Sequence, residues 1–226
     1  KRMPPMPPDV ENCRPLYDER VMAPDDRAVV LGWIEAGMPE GDPALASNGA
    51  VESALSSEDM LGMPTGAATW GYDFEPTPDV FEEHRCILVD PGWEEDVHLR
   101  AVGVEIDNPA VVHHVIQFAA SPTEANLARI AELEAEDDIP GWACPNGSRV
   151  NGAGSIGGYA PGARNRPFPD GATLTLEAGT KVIMQMHYNY ATARSADQTQ
   201  TLFWEVDEPS PKSPRNIAAI NAWFQI

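Results

Sequence analysis

The sequence predicts a mainly β protein: an antiparallel, jelly-roll-like β-sandwich with one inserted helix, preceded by a short helical N-terminal segment. Three observations carry that expectation. From about residue 66 onward the chain is a series of short apolar runs broken by Gly, Pro, Asn and Asp, the pattern of strands joined by turns. Only one stretch in that region, after Ser121-Pro122-Thr123-Glu124, switches to helical spacing of its apolar residues. The length of 226 residues is enough to bury one full core and carry an appendage.

Taken in chain order, residues 1 to about 44 form a first unit. Met3-Pro4-Pro5-Met6-Pro7-Pro8 cannot be helical and is expected to be an extended arm. Pro24, Asp25 and Asp26 then open a helix in which Val29, Val30, Trp33 and Ile34 recur at helical spacing, with Gly37 placed to cap its end. A single helix cannot build a core, so this unit either packs on the rest or is the tail of a missing domain. Residues 45 to about 65 are rich in Ser, Ala, Gly and Met and read as a linker. The sandwich follows over 66–226, with expected strands at 85–89, 97–106, 111–119, 173–176, 182–190 and 201–206. Ser121 to Glu124 has capping-box residues with Pro122 at the first helical position, and Leu127, Ile130 and Leu133 follow along one face. The acidic residues 132–138 read as the solvated end of that helix.

Charge and cysteine usage exclude several classes. A formal net charge of −20 with no basic patch opposes binding to nucleic acid or to anionic membrane surfaces. No stretch approaches the roughly 20 apolar residues of a membrane-spanning helix. Cys13, Cys86 and Cys144 are odd in number and form no CxxC, which rules out a zinc knuckle or a thioredoxin-like motif, though two of them can pair. A Cys86–Cys144 disulfide would place the protein in an oxidising compartment. The first residues, Lys1-Arg2-Met3-Pro4-Pro5, carry no charged-then-apolar signal, so the expectation is a processed chain or a fragment.

Three of the five histidines lie in apolar strands: His113 and His114 in Val111-Val112-His113-His114-Val115-Ile116, and His187 in Met184-Gln185-Met186-His187-Tyr188. An unpaired imidazole is costly there unless its lone pair is used, and neutral imidazole is a common ligand for copper and zinc. Neighbours on a regular strand point to opposite faces, so His113 and His114 can share one ion only through a bulge, an edge position or different ring nitrogens. In the competing reading one of them is a core histidine bonded to backbone and the other faces solvent. His84 and His98, in polar strand ends, read as surface side chains. Met184 and Met186 could supply thioether ligands but suit core filling better, and Trp142, Tyr159 and Tyr188 suit packing.

The order of motifs adds a family. Glu83-His84-Arg85-Cys86-Ile87-Leu88, then His113-His114, Gly141-Trp142-Ala143-Cys144, Gly157-Gly158-Tyr159-Ala160-Pro161-Gly162 and Met186-His187-Tyr188-Asn189 together resemble the amino-terminal core domain of the copper type II, ascorbate-dependent monooxygenases. These are the enzymes related to peptidylglycine α-hydroxylating monooxygenase and dopamine β-monooxygenase, and the resemblance covers roughly residues 70 to 206. It implies a jelly-roll-like sandwich in which His113, His114 and His187 bind one copper, which passes an electron to a second copper in the following domain. In the family that second, oxygen-activating copper is held by a His-x-His pair and a methionine. No His-x-His occurs before Ile226, so this chain alone is not expected to hydroxylate a substrate. The family's cysteine matching Cys86 pairs downstream of the His-Tyr motif, where this chain has none, and Cys86–Cys144 becomes the expected disulfide. A periplasmic or secreted location follows from the resemblance. The alternative is an extracellular β-sandwich binding module whose histidines are structural or store and transfer copper.

The first forty residues resemble the carboxy-terminal end of a c-type cytochrome domain of the kind that precedes this copper domain in bacterial proteins. That resemblance implies Met3, with Met6 second, as an axial haem ligand. There is no C-x-x-C-H, so haem c would be attached by a segment upstream. Expected partners are the upstream cytochrome domain and the second copper domain of the same parent protein, and a small-molecule or peptide-like substrate.

Overall fold

The computed structural model describes residues 24–42 and 57–214. The chain divides into two units, Lys1–Ser53 and Ala54–Ile226. In the first, helix α1 (Pro24–Glu35) starts at Pro24 with Asp25 and Asp26 in its first turn and buries none of its side chains. Gly37, at φ 84°, ends it in the left-handed conformation that a glycine adopts without strain. Met3, Met6 and Cys13 lie outside the described residues.

The second unit is an antiparallel β-sandwich. Its elements are α2 (Ser57–Leu61), β1 (Gly66–Ala68), β2 (Glu82–Val89), β3 (Val97–Glu105), β4 (Val112–Ala120), α3 (Glu124–Glu134), β5 (Trp142–Ala143), β6 (Gly154–Tyr159), β7 (Leu174–Leu176), β8 (Lys181–Asn189) and β9 (Gln200–Val206). One sheet has the order β1-β9-β3-β7 and the other β5-β2-β8-β4-β6. Residues 57–61, inside the stretch expected to be linker, form α2, and Leu61 is buried with Ala101, Leu202 and Trp204. Among the described residues no helix is long and apolar enough to cross a membrane.

Strand β8 explains the architecture best. Every residue from Val182 to Tyr188 is buried, because this central strand is covered on both faces. Val182, Met184, Met186 and Tyr188 join Ile87, Val89, Val115 and Phe203 in the core between the sheets. Ile183, on the other face, packs with Cys86, Cys144, Trp142 and the α3 residues Ile130 and Leu133. The expected helix forms, but two residues later than the capping box predicts. Thr123 rather than Ser121 is the N-cap, accepting a hydrogen bond from the Asn126 backbone N–H at 3.2 Å, and Pro122 lies before the cap.

Strands β1, β5 and β6 are not anticipated by the sequence pattern. β6 owes its place to glycine: a Cβ on Gly158 would lie 2.5 Å from the Val115 carbonyl oxygen, and one on Gly157 2.7 Å from Gln117 Oε1. At Gly158 the atom met is backbone, so the close approach of β6 to β4 leaves no room there for a larger residue. The disulfide Cys86–Cys144 is present, with Cα atoms 5.8 Å apart, and ties β2 to the segment following β5. Beside it, buried Arg85 forms an ion pair with Asp137 and donates to the carbonyls of Pro140 at 2.9 Å and Gly141 at 3.0 Å. The guanidinium holds the Asp137 carboxyl below its ordinary value.

Candidate metal centre

The alternation that sends Met184, Met186 and Tyr188 into the core sends Gln185 and His187 to the outer face of the five-stranded sheet. The neighbouring strand β4 would place only one of its two histidines on that face if it were regular. It is not regular. Val112 pairs with Tyr188 and His114 pairs with His187, so the register slips by one residue and His113 is the extra residue of a bulge. The bulge is the device that the adjacent histidines require.

A buried polar knot beneath the sheet holds the approach to that bulge. Asp197 accepts from Tyr188 Oη at 3.0 Å, from Thr199 Oγ1 at 2.9 Å and from the Asn108 backbone N–H at 3.1 Å. Asn108 in turn donates its side-chain amide to the Ala196 carbonyl at 2.7 Å and to Ser195 Oγ at 2.8 Å, and its own carbonyl accepts from the N–H groups of Val111 and Val112. The Asn189 N–H donates to the Val111 carbonyl at 2.8 Å. Burial raises the pKa of Asp197 and pushes that of Tyr188 well up, the neighbouring carboxylate adding to the Tyr188 shift.

On the outer face the three histidines converge through the same ring atom. His114 Nδ1 and His187 Nδ1 are 3.0 Å apart, His113 Nδ1 and His187 Nδ1 3.1 Å, and His113 Nδ1 and His114 Nδ1 3.3 Å. The rings meet edge-on at interplanar angles of 65° to 74°. A neutral imidazole nitrogen offers either one N–H or one lone pair, so a triangle of three cannot satisfy itself: at least one contact sets like against like, lone pair against lone pair or N–H against N–H. A cation at the common point satisfies all three. The spacing also fits, because imidazoles sharing an ion at about 2.0–2.1 Å lie about 2.9–3.4 Å apart for ligand angles of about 90–110°.

Electrostatics keep these rings in the form that a metal needs. Burial lowers the pKa of His114, and positive charge on His187, His113 and His84 would lower it further. Burial likewise lowers His187, with His84 and His113 adding to the effect and the Glu82 carboxylate opposing it. Both rings are therefore neutral at pH 7, with lone pairs available.

His84 departs from expectation. It is half-buried rather than a surface residue, sits opposite His187 in the β2–β8 register, and stacks on that ring with centroids 4.0 Å apart and planes within 12°. His84, His114 and His187 each bring a nitrogen within 4.8 Å of the others, so they too form a group able to hold a metal ion. The tighter set is the His113, His114 and His187 triangle. Parallel stacking keeps the lone pairs of His84 in a plane offset from that of His187, so in this rotamer it covers the site instead of completing it. His84 was missed because nothing in its own segment reveals its cross-strand partner; the alternation of Glu82, His84 and Cys86 along β2 becomes informative only once the register is known.

The other residues singled out from the sequence are not ligands in this arrangement. Met184 and Met186 face the core. Trp142 is buried and donates Nε1–H to the Ser148 carbonyl at 3.0 Å, Tyr159 packs at the core edge, and His98, in the four-stranded sheet, bonds Thr175 Oγ1 of the neighbouring strand β7 at 2.9 Å. A shallow cavity of about 200 Å³, lined by Pro109, Val111, Pro161 and Thr192 among others, opens beside exposed His113. No protein-family model matches the chain, and no curated protein matches it.

Proposed function

We propose that this chain is a copper-binding electron-transfer domain belonging to an exported, O2-dependent copper monooxygenase that hydroxylates a C–H bond of a small or peptide-like substrate. The single observation that supports the metal reading is the triangle of three Nδ1 atoms built by the β4 bulge. The motif order from His113-His114 to His187-Tyr188 supports the family reading. Copper held there would supply one-electron chemistry, since imidazole tolerates both Cu(I) and Cu(II).

The protein's own residues set the terms of that chemistry. His114 and His187 stay neutral at pH 7, β4 and β8 fix the ligand nitrogens on adjacent hydrogen-bonded strands, and His113 leaves one side of the site open to solvent. The buried Cys86–Cys144 disulfide supports an oxidising compartment, periplasmic or extracellular. The proposed electron donor is the haem of an upstream cytochrome domain whose carboxy-terminal end the first residues resemble, and the proposed acceptor is a second copper domain of the same parent protein.

A copper storage or transfer module is the second reading, favoured by the exposure of His113 and its adjoining cavity. Loading with about one equivalent of Cu(II), followed by metal analysis and EPR beside His187→Ala, tests the shared premise. One type II copper with nitrogen couplings, lost or weakened in the variant, supports a metal centre; copper indifferent to His187 removes it. Cu(I) transfer to a chelator much faster than electron exchange with a soluble redox partner would favour the transfer module.

A further inference from the structure

Strand β2 contributes two side chains to the open face beside the histidine triangle. His84 lies over the ring of His187, and Glu82 reaches its edge, with Oε2 3.5 Å from Nε2. That Nε2 is a buried atom with no hydrogen-bond partner, while Nδ1 of the same ring faces His113 and His114 at 3.1 and 3.0 Å. We propose that Glu82 is a positioning residue for His187: its carboxylate accepts a hydrogen bond from Nε2–H and so holds the tautomer whose Nδ1 lone pair points into the triangle. The metal consequence rests on the proposed three-histidine centre; the tautomer consequence does not.

Only one tautomer suits both ends of the ring. With the proton on Nδ1, that N–H would enter a space crowded by two other nitrogens, and the Nε2 lone pair would face a carboxylate. With the proton on Nε2, the donor faces the carboxylate and the lone pair faces the site. Metal-bound imidazoles commonly donate their second N–H to such a carboxylate, which fixes the ring and raises its basicity. The 3.5 Å separation lies beyond a formed hydrogen bond, and the half-exposed Glu82 side chain has the freedom to close it. Its neighbour cannot substitute. Glu83 points to the opposite face of β2, where it accepts from Tyr190 Oη at 2.5 Å, from the Thr77 N–H at 3.2 Å and from Thr77 Oγ1 at 2.7 Å. The stacked His84 ring complements Glu82 by fixing the plane of His187 while the carboxylate fixes its proton.

The test compares wild type, Glu82→Gln and Glu82→Ala. In metal-free protein near pH 7.5, 15N-histidine NMR should show His187 as the Nε2–H tautomer in wild type and a mixture in Glu82→Ala. Cu(II) affinity should fall about 10–100-fold in Glu82→Ala, and Glu82→Gln, whose amide oxygen still accepts a hydrogen bond, should recover most of the tautomer bias and of the affinity. An Nδ1–H tautomer in wild type, or a tautomer unchanged in Glu82→Ala, would overturn the assignment. Failure of wild type to take up copper would remove the metal centre, but the metal-free NMR comparison would still decide the role of Glu82.

Discussion

Removing the disulfide is the perturbation whose size follows most directly from the structure. Cys86 and Cys144 close a loop with a sequence separation of 58 residues. In the chain-entropy description, closing a loop of that length removes about 14 cal/mol/K from the unfolded ensemble, or about 4 kcal/mol at room temperature. Both sulfurs are fully buried among Trp142, Ile130, Leu133 and Ile183, so a Cys86→Ala/Cys144→Ala variant adds a small packing loss of the same sign. Urea unfolding followed by tryptophan fluorescence should then show a midpoint lower by roughly 2 M, for an m-value of about 2 kcal/mol/M. The proposed ligands sit on β4 and β8, not within the stretch 121–153 that the disulfide anchors, so the folded variant should retain the Cu(II) EPR spectrum of wild type. A loss below about 1 kcal/mol would refute the loop-closure reasoning. A changed EPR spectrum in a folded variant would show instead that β5 and its loop hold the site.

Other outcomes follow from the same geometry. His113→Ala and His114→Ala should each weaken Cu(II) binding while leaving the fold intact, whereas His84→Ala should leave one copper per chain, since the tighter triangle of Nδ1 atoms does not include His84; metal analysis and EPR distinguish them. Because the fold lowers the pKa values of His114 and His187, the unfolded chain binds more protons below its ordinary histidine pKa of about 6.5. Their contribution to the stability of metal-free protein should be fully present above that pH and fall away on acidification below it, checked by urea midpoints across the range. Tyr188→Phe removes a donor from buried Asp197 and should cost about 1–3 kcal/mol in urea unfolding. Gly158→Ala should destabilise by more than a usual surface substitution, because the new Cβ meets the Val115 carbonyl at 2.5 Å; thermal unfolding measures it.

Elements with a strong period of their own were legible in the sequence. β2, β3, β4, β8 and β9 each carry enough apolar residues to announce a strand, and α3 carries its cap. β5 has two residues and β6 is Gly154-Ser155-Ile156-Gly157-Gly158-Tyr159, so neither has a hydrophobic pattern to read; packing against β2 and β4 creates them. At the site, the need for a bulge was legible from adjacent histidines on a strand, but its presence was not. The approach to the bulge is held by Asp197 and Asn108, joined by hydrogen bonds from far along the chain. The same holds for Glu82 and His84, whose relation to His187 is a matter of strand register, and register comes from the whole sheet.

The two faces of β8 divide the work in a way that connects fold to chemistry. Inward, Val182, Met184, Met186 and Tyr188 are almost wholly excluded from solvent, so the strand cannot shift without breaking the core. Outward, the same backbone presents His187, and β4 presents His114 directly opposite it. Two nitrogens placed by hydrogen-bonded neighbouring strands keep their spacing in the face of changes in charge at the site. The third, on His113, comes from a bulge beside an open cavity and is the most exposed of the proposed ligands. A site with two fixed imidazoles and one adjustable imidazole suits an ion that changes oxidation state, because the small adjustment that each state demands falls on the bulge and not on the core.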